Sequence, residues 1–283
     1  MLPVNGQVTA VVVSYNTADK LRRCLQALQG VPAVVIDNDS QDGSVAMIRT
    51  EFPLVQVIAN RDNRGFSAAN NQGLSLVQTP LTLFINSDAY ADPGAIGALA
   101  AVFEDAGVVA AGGRLRNPDG SLQESVAKML TLRGVFLEQT LLEKIFGGFW
   151  ITRSLGGTVE VPQVMGACLM ARTADLKEIG GWDERYFLYC EDTDLCLRLS
   201  KLGRIIWVEA AGFEHELGSS SRREPWRGIA RYNRGKETFF RIHHGPLASG
   251  VCWSLDRMGA LLRMAVKPKQ FSTWWKVLTI KPD

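Results

Sequence analysis

Short apolar runs alternate with amphipathic segments along the first 112 residues of the chain. The apolar runs, which are rich in β-branched residues, are 8–14, 33–37, 55–59, 81–85 and 108–111. Such runs are typical of strands that are buried on both faces. Residues 18–28 and 65–77 instead place apolar side chains at spacings of three and four, which predicts helices. Strands and helices that alternate in this way predict an α/β fold with a Rossmann-like, mostly parallel central sheet flanked by helices.

The hydrophobic pattern weakens after residue 113 and becomes helical again towards the end of the chain. Residues 130–150 are apolar and interrupted by glycines, which is typical of a mobile helix or loop over a site. Residues 205–208 predict a short strand, and apolar residues recur at helical spacing from Trp253 onward. We therefore expect an α/β domain over residues 1–221 and a helical extension over residues 222–283.

The charge of the chain is unevenly distributed, although the net charge is only +2. From Arg222 onward there are 13 Lys and Arg residues against 4 Asp and Glu residues, whereas the preceding part has 18 against 25. A basic extension on a mildly acidic body predicts contact with an anionic surface, either a membrane or a nucleic acid.

The basic extension interleaves its charges with aromatic and aliphatic side chains, and this pattern has three interpretations. Basic amphipathic helices are typical of peripheral contact with a membrane surface. A packed helix pair that covers the first domain, or a homodimer contact, would also bury such residues. Nothing in the extension matches a groove-reading motif, so we expect no nucleic-acid partner.

The cysteines and the first residues of the chain indicate the cell compartment in which the protein is expected. Five cysteines are scattered along the sequence without a C-x-x-C pair, which argues against a disulfide framework or a zinc site and fits a reducing cytosol. The first residues lack the charged and apolar segments of a signal peptide. The sequence contains no uninterrupted run of about 18 apolar residues, so we expect no membrane-spanning helix. We therefore expect a cytoplasmic protein.

Polar residues follow the predicted strands, where an open α/β sheet binds its ligands. Asp88 ends the short polar exit that follows the strand at residues 81–85, so its carboxylate would be held rigidly and would suit Mg²⁺ or Mn²⁺ bridging to a phosphate. Alternatively, Asp88 caps a turn or the helix that begins near Pro93. The first strand is followed by Ser14, Tyr15 and Asn16 and not by G-x-G-x-x-G, which disfavours NAD. A Walker-type phosphate loop is also missing.

Six motifs stand in a fixed order along the chain. They are VVSYN ending at residue 16, VIDNDSxDGS ending at 44, NRGFSAANNxG ending at 73, NSD ending at 88, GGWDE ending at 184 and EDxD ending at 194. Each is weak alone, but together, over roughly residues 8–221, they closely resemble the inverting family 2 (GT-A fold) glycosyltransferases. Within that family the set looks like the rhamnosyltransferase-like members that build bacterial cell-surface polysaccharides.

The resemblance implies a nucleotide-diphosphate sugar as donor, either dTDP-rhamnose or a UDP-sugar, and a glycan or lipid-linked glycan as acceptor. It implies a donor half over about residues 1–112 and an acceptor half over about 113–221. It also implies that the protein acts at the inner face of the cell membrane. The residues expected to bind the donor are Ser14, Tyr15, Asn16, Asp37, Asn38, Asp39, Arg64, Gly65, Asn70, Asn86, Ser87 and Asp88. Two alternatives stay open, since the loop at 37–42 could cap a helix, and Asn70 with Asn71 could cap a helix or bond the ribose.

The resemblance also implies a metal site and a catalytic pair. Asp88 would bind Mg²⁺ or Mn²⁺, and His215 resembles the histidine that completes the metal shell in some relatives, although it could be a surface residue between two glutamates. Asp192 stands where the family's general base stands, with Glu191 beside it. The alternative is that these carboxylates only favour a helix N-terminus.

The GGWDE motif would contact the acceptor. Trp182, Asp183 and Glu184 would bound the acceptor sugar, although Trp182 could instead pack in the core. The chain departs from the family at Asn86, where the usual pattern has a second carboxylate. This departure keeps open a contrasting function, a non-catalytic sugar-nucleotide- or glycan-binding scaffold.

Overall fold

The computed structural model describes residues 6–216 and 224–280, so the expected domain boundary between 221 and 222 lies outside the described residues. The strands are β1 Val8–Ser14, β2 Ala33–Asp37, β3 Gln56–Ala59, β4 Leu81–Asn86, β5 Ala89–Ala91, β6 Val108–Arg116, β7 Val126–Ala127, β8 Thr158–Glu160, β9 Gln163–Val164, β10 Cys168–Arg172 and β11 Arg204–His215. The helices are α1 Ala18–Ala27, α2 Ser44–Glu51, α3 Phe66–Leu76, α4 Ala95–Ala101, α5 Leu132–Gln139, α6 Glu143–Phe146, α7 Thr173–Glu178, α8 Glu191–Leu199, α9 Pro225–Val266 and α10 Phe271–Thr279.

The central sheet has the order β3-β2-β1-β4-β10-β6-β11-β5, and β8 pairs with β11 beside this path. The strands from β3 to β4 are parallel, as are β6 and β11, whereas β10 runs antiparallel between β4 and β6. Successive residues of β1 face opposite sides, so Val11 and Val12 belong to two different core clusters. The predicted α/β fold, with a largely parallel sheet between helices, is confirmed.

Strand β11 is much longer than the predicted strand at 205–208. Its pairing with β6 shifts register between Val208 and Gly212, an irregularity that we call the bulge, and then continues to His215. The bulge interrupts the alternating pattern, so the sequence hides the second half of the strand. As a result His215 lies at the end of a paired strand and opposite Ala89 of β5, an edge strand that the sequence pattern does not predict.

The chain divides into two compact units. The first comprises Met1–Ala127, Trp150–Phe187 and Glu191–Leu217, and the second comprises Lys128–Phe149, Leu188–Cys190 and Gly218–Asp283, each as far as the structure describes them. Every strand given above lies in the first unit. The second unit is helical and contains α5, α6, α9 and α10.

Helix α9 dominates the second unit and confirms the predicted helical C-terminal extension. It is kinked at Gly245, whose φ of 86° is in the left-handed region, and Pro246 follows the kink. Lys236 before the kink and Asp256 after it form a buried ion pair of 2.6 Å, which ties the two limbs together. Across the described ranges, no helix is both long and apolar enough to cross a membrane.

Candidate functional site

The ends of three neighbouring strands meet at one edge of the sheet in the first unit. Ser14 at the end of β1 pairs with Asp37 at the end of β2, and Val13 pairs with Asn86 at the end of β4. Because parallel strands end together, the residues predicted from separate motifs come together here.

Asp37 presents an unused acceptor at this edge. The residue is 1% exposed, and its Oδ1 accepts a hydrogen bond of 2.9 Å from the Ser40 backbone N–H. Its Oδ2 has no hydrogen-bond partner among the described residues. A buried carboxylate oxygen without a donor is costly, so this atom is suited to a ligand N–H or O–H group.

Asn38 is used within the protein. Its Nδ2 donates to Asn63 Oδ1 at 3.3 Å and to the Gly65 carbonyl at 3.1 Å, and its Oδ1 accepts from Asn60 Nδ2 at 2.9 Å. With both N–H groups donated and its oxygen occupied, Asn38 holds the loop before α3 in place. Asn38, which was predicted to bind the donor, therefore supports that loop.

The loops after β1 and β2 are clipped to each other. The Asn16 backbone N–H donates to Ser40 Oγ at 2.9 Å, and Asn16 Oδ1 accepts from the Gln41 N–H at 2.8 Å. Asn16 and Asp39 both have positive φ, at 54° and 68°. Tyr15, in the loop after β1, is 46% exposed, so its ring is available to a ligand.

A small hydroxyl cluster lies behind the strand ends. The Thr17 hydroxyl donates to Ser87 Oγ at 2.9 Å, and its oxygen lies 3.1 Å from Ser14 Oγ. Ser14 and Ser87 are both buried. These two predicted donor-binding residues therefore tie β1 to the turn after β4.

Gly65 holds the loop before α3 against the segment at Phe187. Its φ is 82°, and a Cβ there would lie 2.7 Å from the Phe187 ring and 2.9 Å from the Phe187 carbonyl oxygen. The Phe66 N–H donates to that carbonyl at 2.9 Å. Glycine is required both by the left-handed conformation and by this close approach. Arg64, beside it, is exposed.

The two asparagines of the NRGFSAANNxG motif have different roles. Asn70 is 1% exposed and donates to the Phe66 carbonyl within α3. Asn71 Oδ1 accepts from the Trp182 N–H at 2.8 Å, and its Nδ2 donates to the Trp182 carbonyl at 2.8 Å and to Glu184 at 3.0 Å. Asn71 therefore clips the GGWDE segment to α3.

The GGWDE side chains are oriented differently from one another. Trp182 is 1% exposed and packs edge-on against Phe66 and Phe84, so the core-packing alternative describes its ring. Its Nε1 has no hydrogen-bond partner among the described residues. Asp183 is paired with Arg185, which lowers the pKa of its carboxyl, while Glu184 is exposed.

Asp88, Asn86 and His215 come together at the end of β4. His215 Nε2 lies 3.4 Å from Asp88 Oδ1 and 3.3 Å from Asn86 Nδ2. His215 is 5% exposed, so the surface alternative for it is wrong. Within the described ranges, no group of three or more His, Cys, Asp or Glu side chains is placed to hold a metal ion. The protein would thus supply Asp88 and His215, which fits a hard cation that keeps waters and phosphate oxygens as its other ligands.

Gln123 determines which nitrogen of His215 faces Asp88. Its Oε1 lies 2.6 Å from His215 Nδ1, and its Nε2 donates to the His215 carbonyl at 3.1 Å and to Asn117 Oδ1 at 2.8 Å. With its amide nitrogen committed to two acceptors, Gln123 offers only its oxygen to Nδ1, which must then carry the proton. The lone pair of a neutral ring is therefore on Nε2, as a metal ligand requires.

Asp192 lies in the first turn of α8. Its Oδ2 accepts from the Gly166 N–H at 3.0 Å and its Oδ1 from the Thr193 N–H at 2.8 Å. Burial raises the pKa of Asp192, and these two N–H groups oppose that rise. A carboxylate with a raised pKa is a better proton acceptor near neutral pH. Glu191, beside it, is 6% exposed.

Two backbone contacts connect Asp192 with the Asp88 cluster. Gly166 binds Asp192, and the next residue, Ala167, accepts a hydrogen bond of 3.1 Å from the Asn86 N–H. The segment before β10 therefore reaches both carboxylate sites. Neither Gly166 nor Gln123 is singled out by the sequence motifs, because each acts on a partner far away in the chain.

The family comparison matches residues 9–179 to the model described as Glycosyl transferase family 2. An N-acetylglucosaminyl-diphospho-decaprenol L-rhamnosyltransferase of Mycobacterium tuberculosis is 29% identical over 277 residues, covering 87% of this chain and 88% of that protein. A pre-mycofactocin glycosyltransferase of the same organism is 26% identical over 270 residues, covering 93% of this chain and 54% of that protein.

A solved structure is similar over nearly the whole chain. The mannosyltransferase PcManGT from Pyrobaculum calidifontis, in complex with GDP-Man and Mn²⁺, matches with a TM-score of 0.59 at 15% identity. The match covers 98% of this chain and 81% of that one. At this identity the likeness shows a shared fold.

Proposed function

This chain belongs to glycosyl transferase family 2, and from that premise we propose that it transfers rhamnose from a nucleotide-diphosphate donor to a lipid-linked glycan. The family match and the mycobacterial relative bear out the predicted inverting glycosyltransferase of bacterial polysaccharide synthesis. Rhamnose and the lipid-linked acceptor rest on the name of that relative, and dTDP-rhamnose is the first donor to test, before UDP-sugars. Residues 1–221 would form the catalytic domain, with the donor half at about 1–112 and the acceptor half at about 113–221.

The observation that carries the proposal is the short path between the two carboxylate sites. Asp192 binds Gly166, Ala167 binds Asn86, and Asn86 contacts His215 beside Asp88. A donor whose diphosphate is held near Asp88 would thus present its anomeric carbon towards Asp192. Such a pairing of a cation site that would hold the diphosphate with a half-buried carboxylate suits sugar transfer.

The proposed reaction is a displacement at the anomeric carbon. Asp192 takes the proton of an acceptor hydroxyl while the hydroxyl oxygen forms a bond to the anomeric carbon. The bond from that carbon to the diphosphate oxygen breaks, and its electron pair leaves with the nucleoside diphosphate. A single displacement of this kind inverts the anomeric configuration. Glu191 would orient the acceptor, and Asp183 with Glu184 would bound it.

The donor would be held by the strand ends. The free Oδ2 of Asp37 would accept an N–H of the base or a ribose hydroxyl, and the exposed Tyr15 would cover the base. Arg64 is exposed and would meet the diphosphate. Asp88 and His215 would hold Mg²⁺ or Mn²⁺, which when bound neutralises charge on the leaving diphosphate.

The second unit would contact the inner face of the cell membrane. Most of the large apolar side chains that are exposed in the described part of the chain lie in this unit, among them Leu247, Leu261 and Trp275. Exposed Lys267 and Lys269 lie in the same region of the unit. Apolar side chains next to basic ones suit an anionic lipid surface. A homodimer contact is the competing use of this surface.

Release of nucleoside diphosphate from a donor panel with Mn²⁺ tests the enzymatic proposal. We expect Asp192→Asn to leave only a small residual turnover while nucleotide affinity by calorimetry stays near wild type, and Asp175→Asn, which removes a carboxylate of α7, to remain active. Asp88→Ala should weaken nucleotide affinity only when Mn²⁺ is present. Nucleotide binding without turnover of any donor would favour the non-catalytic scaffold.

Flotation with anionic liposomes tests the membrane contact. We expect Leu261→Glu and Trp275→Glu to reduce flotation, whereas Leu54→Glu, at a residue of the first unit that is 98% exposed, should float like wild type. Equal flotation of all variants would refute the membrane contact. Sedimentation of the same variants detects a dimer that Leu261→Glu or Trp275→Glu breaks.

A further inference from the structure

Residues 188–190 immediately precede the Glu191–Asp192 pair, and we call them the approach turn. Two consecutive non-glycine residues of this turn, Tyr189 and Cys190, have left-handed φ values of 75° and 66°. Such a conformation is strained for a residue with a side chain, so it persists only where surrounding contacts impose it.

Helix α9 is in contact with the approach turn. The backbone of the approach turn lies directly on α9 at Gly235, where an added Cβ would collide with the Tyr189 carbonyl oxygen and lie 3.1 Å from Cys190 Sγ. Three residues earlier on the helix, the Tyr232 ring packs edge-on against the Tyr189 ring at 6.4 Å. The turn and this part of α9 belong to the same compact unit.

Asp192 is the second residue of α8, and its carboxylate is held by backbone N–H groups. Its position therefore depends on the path of the backbone at the start of α8. Its two carboxylate oxygens accept from the N–H groups of Gly166 and Thr193. Only Glu191 separates it from the approach turn. Two peptide links therefore join the approach turn to Asp192, which belongs to the first unit.

We propose that Gly235 is a positioning residue for sugar transfer, because its missing side chain lets α9 hold the approach turn in the strained conformation that directs Asp192 towards the acceptor. The proposal rests on the role proposed above for Asp192. It gives the C-terminal helical extension a part in the chemical step in addition to any part in membrane contact.

The test uses three glycines of α9. Gly235→Ala forces the Tyr189 carbonyl away, and since a misplacement of about 1 Å can cost a factor of about 100, we expect kcat to fall between tenfold and a hundredfold. The KM for the donor and the Kd for the nucleoside diphosphate should stay within threefold of wild type. A loss of affinity equal to the loss of kcat would overturn the proposal.

Two matched controls separate positioning from general damage to the unit. Gly250→Ala adds a methyl group where no described atom lies within 4 Å, so it should behave like wild type. Gly259→Ala places a Cβ 2.8 Å from Gln139 Cβ, and its nearest neighbours are atoms of Gln139 and not of the approach turn, so it should lower Tm but keep kcat. If Gly259→Ala loses kcat as much as Gly235→Ala, the effect is one of stability and the proposal is wrong.

A double-variant measurement asks whether Gly235 acts through Asp192. In the Asp192→Asn background, Gly235→Ala should not lower the residual rate further, since the effects of substituting residues that act as a unit do not add. An additional tenfold loss would refute the proposal. Substantial activity of Asp192→Asn alone would refute the proposed base. An inactive Asp192→Asn with a fully active Gly235→Ala would refute only the positioning role.

Tyr232→Leu keeps the proposal testable if Gly235→Ala fails to fold. It removes the ring that packs on Tyr189 without introducing a collision. Edge-on aromatic pairs contribute about 0.5–1.5 kcal/mol, which corresponds to a two- to tenfold loss of kcat if the contact holds the turn in its active conformation. An unchanged kcat in a folded Tyr232→Leu protein would count against the proposal.

Discussion

Gln123→Met tests whether the tautomer of His215 prepares the cation site. Gln123 is 4% exposed, and its side chain makes three hydrogen bonds, to His215 Nδ1, to the His215 carbonyl and to Asn117. Methionine fills a similar volume but accepts no comparable hydrogen bond from Nδ1–H. Without that acceptor, the proton can move to Nε2 and block the lone pair that faces Asp88.

The size of the effect follows from these contacts. Removing a group that orients a metal-ligating histidine typically lowers metal affinity by about 10–100-fold, or about 1.4–2.7 kcal/mol. Each buried polar group left without a partner costs a further ~1–3 kcal/mol of folding free energy. We therefore expect both weaker Mn²⁺ binding and a lower Tm for Gln123→Met.

Calorimetric titration of Mn²⁺ in the presence of nucleoside diphosphate measures the first effect. Asn117→Ala is the control, because it removes a partner of Gln123 that does not contact His215, and it should change Mn²⁺ affinity by less than threefold. In a His215→Ala background, Gln123→Met should have no additional effect on affinity. Equal losses in both backgrounds, or none in the wild type, would refute the reasoning.

Three further predictions concern the base, a loop and the helical unit. Burial raises the pKa of Asp192, and its protonated form accepts no proton, so kcat/KM should fall at low pH with a midpoint above that of a free aspartate; a pH–rate profile checks this. Gly65→Ala should lower the free energy of unfolding in urea by about 1–3 kcal/mol more than Gly94→Ala, whose φ is similar but whose surroundings are open among the described atoms. Burial raises the pKa of Asp256 to about 6, so the folded protein binds a proton at this carboxyl more tightly than the unfolded protein does. The stability gained from this proton is complete below about pH 4 and is lost as the pH rises through 6. Lys236→Met removes the counter-charge and raises that pKa further, so urea titrations should show a loss of about 3–5 kcal/mol at pH 8 and a smaller loss at pH 4.5.

The parts of the fold that local patterns encode were predictable. The runs that form β1, β2 and β4 are mostly apolar because both faces of these strands are buried, and their polar ends identify one edge of the sheet. Strand β11 was underestimated because its bulge breaks the alternation that a strand shows. The position of His215 depends on that bulge, so sequence periodicity could not place it.

Residue type alone did not reveal which polar side chains are used within the protein. Asn38 and Asn71 stand in motifs that suggested ligand contacts, but their amide groups are used to clip loops together. An amide that binds a ribose and one that binds a backbone look alike in a sequence. The pairing of Gln123 with His215 spans 92 residues, and no local spacing encodes it.

Asn86 bears on whether the chain is an enzyme or a scaffold. A neutral amide at this position leaves Asp88 as the negative charge beside His215, so the protein alone should hold a divalent cation weakly. A nucleoside diphosphate adds its own negative oxygens, so we expect the cation to bind mainly together with the donor. The substitution changes the charge of the cation site but leaves Asp192 and its contact with Gly166 intact. Because the proton acceptor does not depend on the charge at Asn86, this departure from the family pattern predicts a donor-dependent metal affinity and does not by itself predict a loss of catalysis.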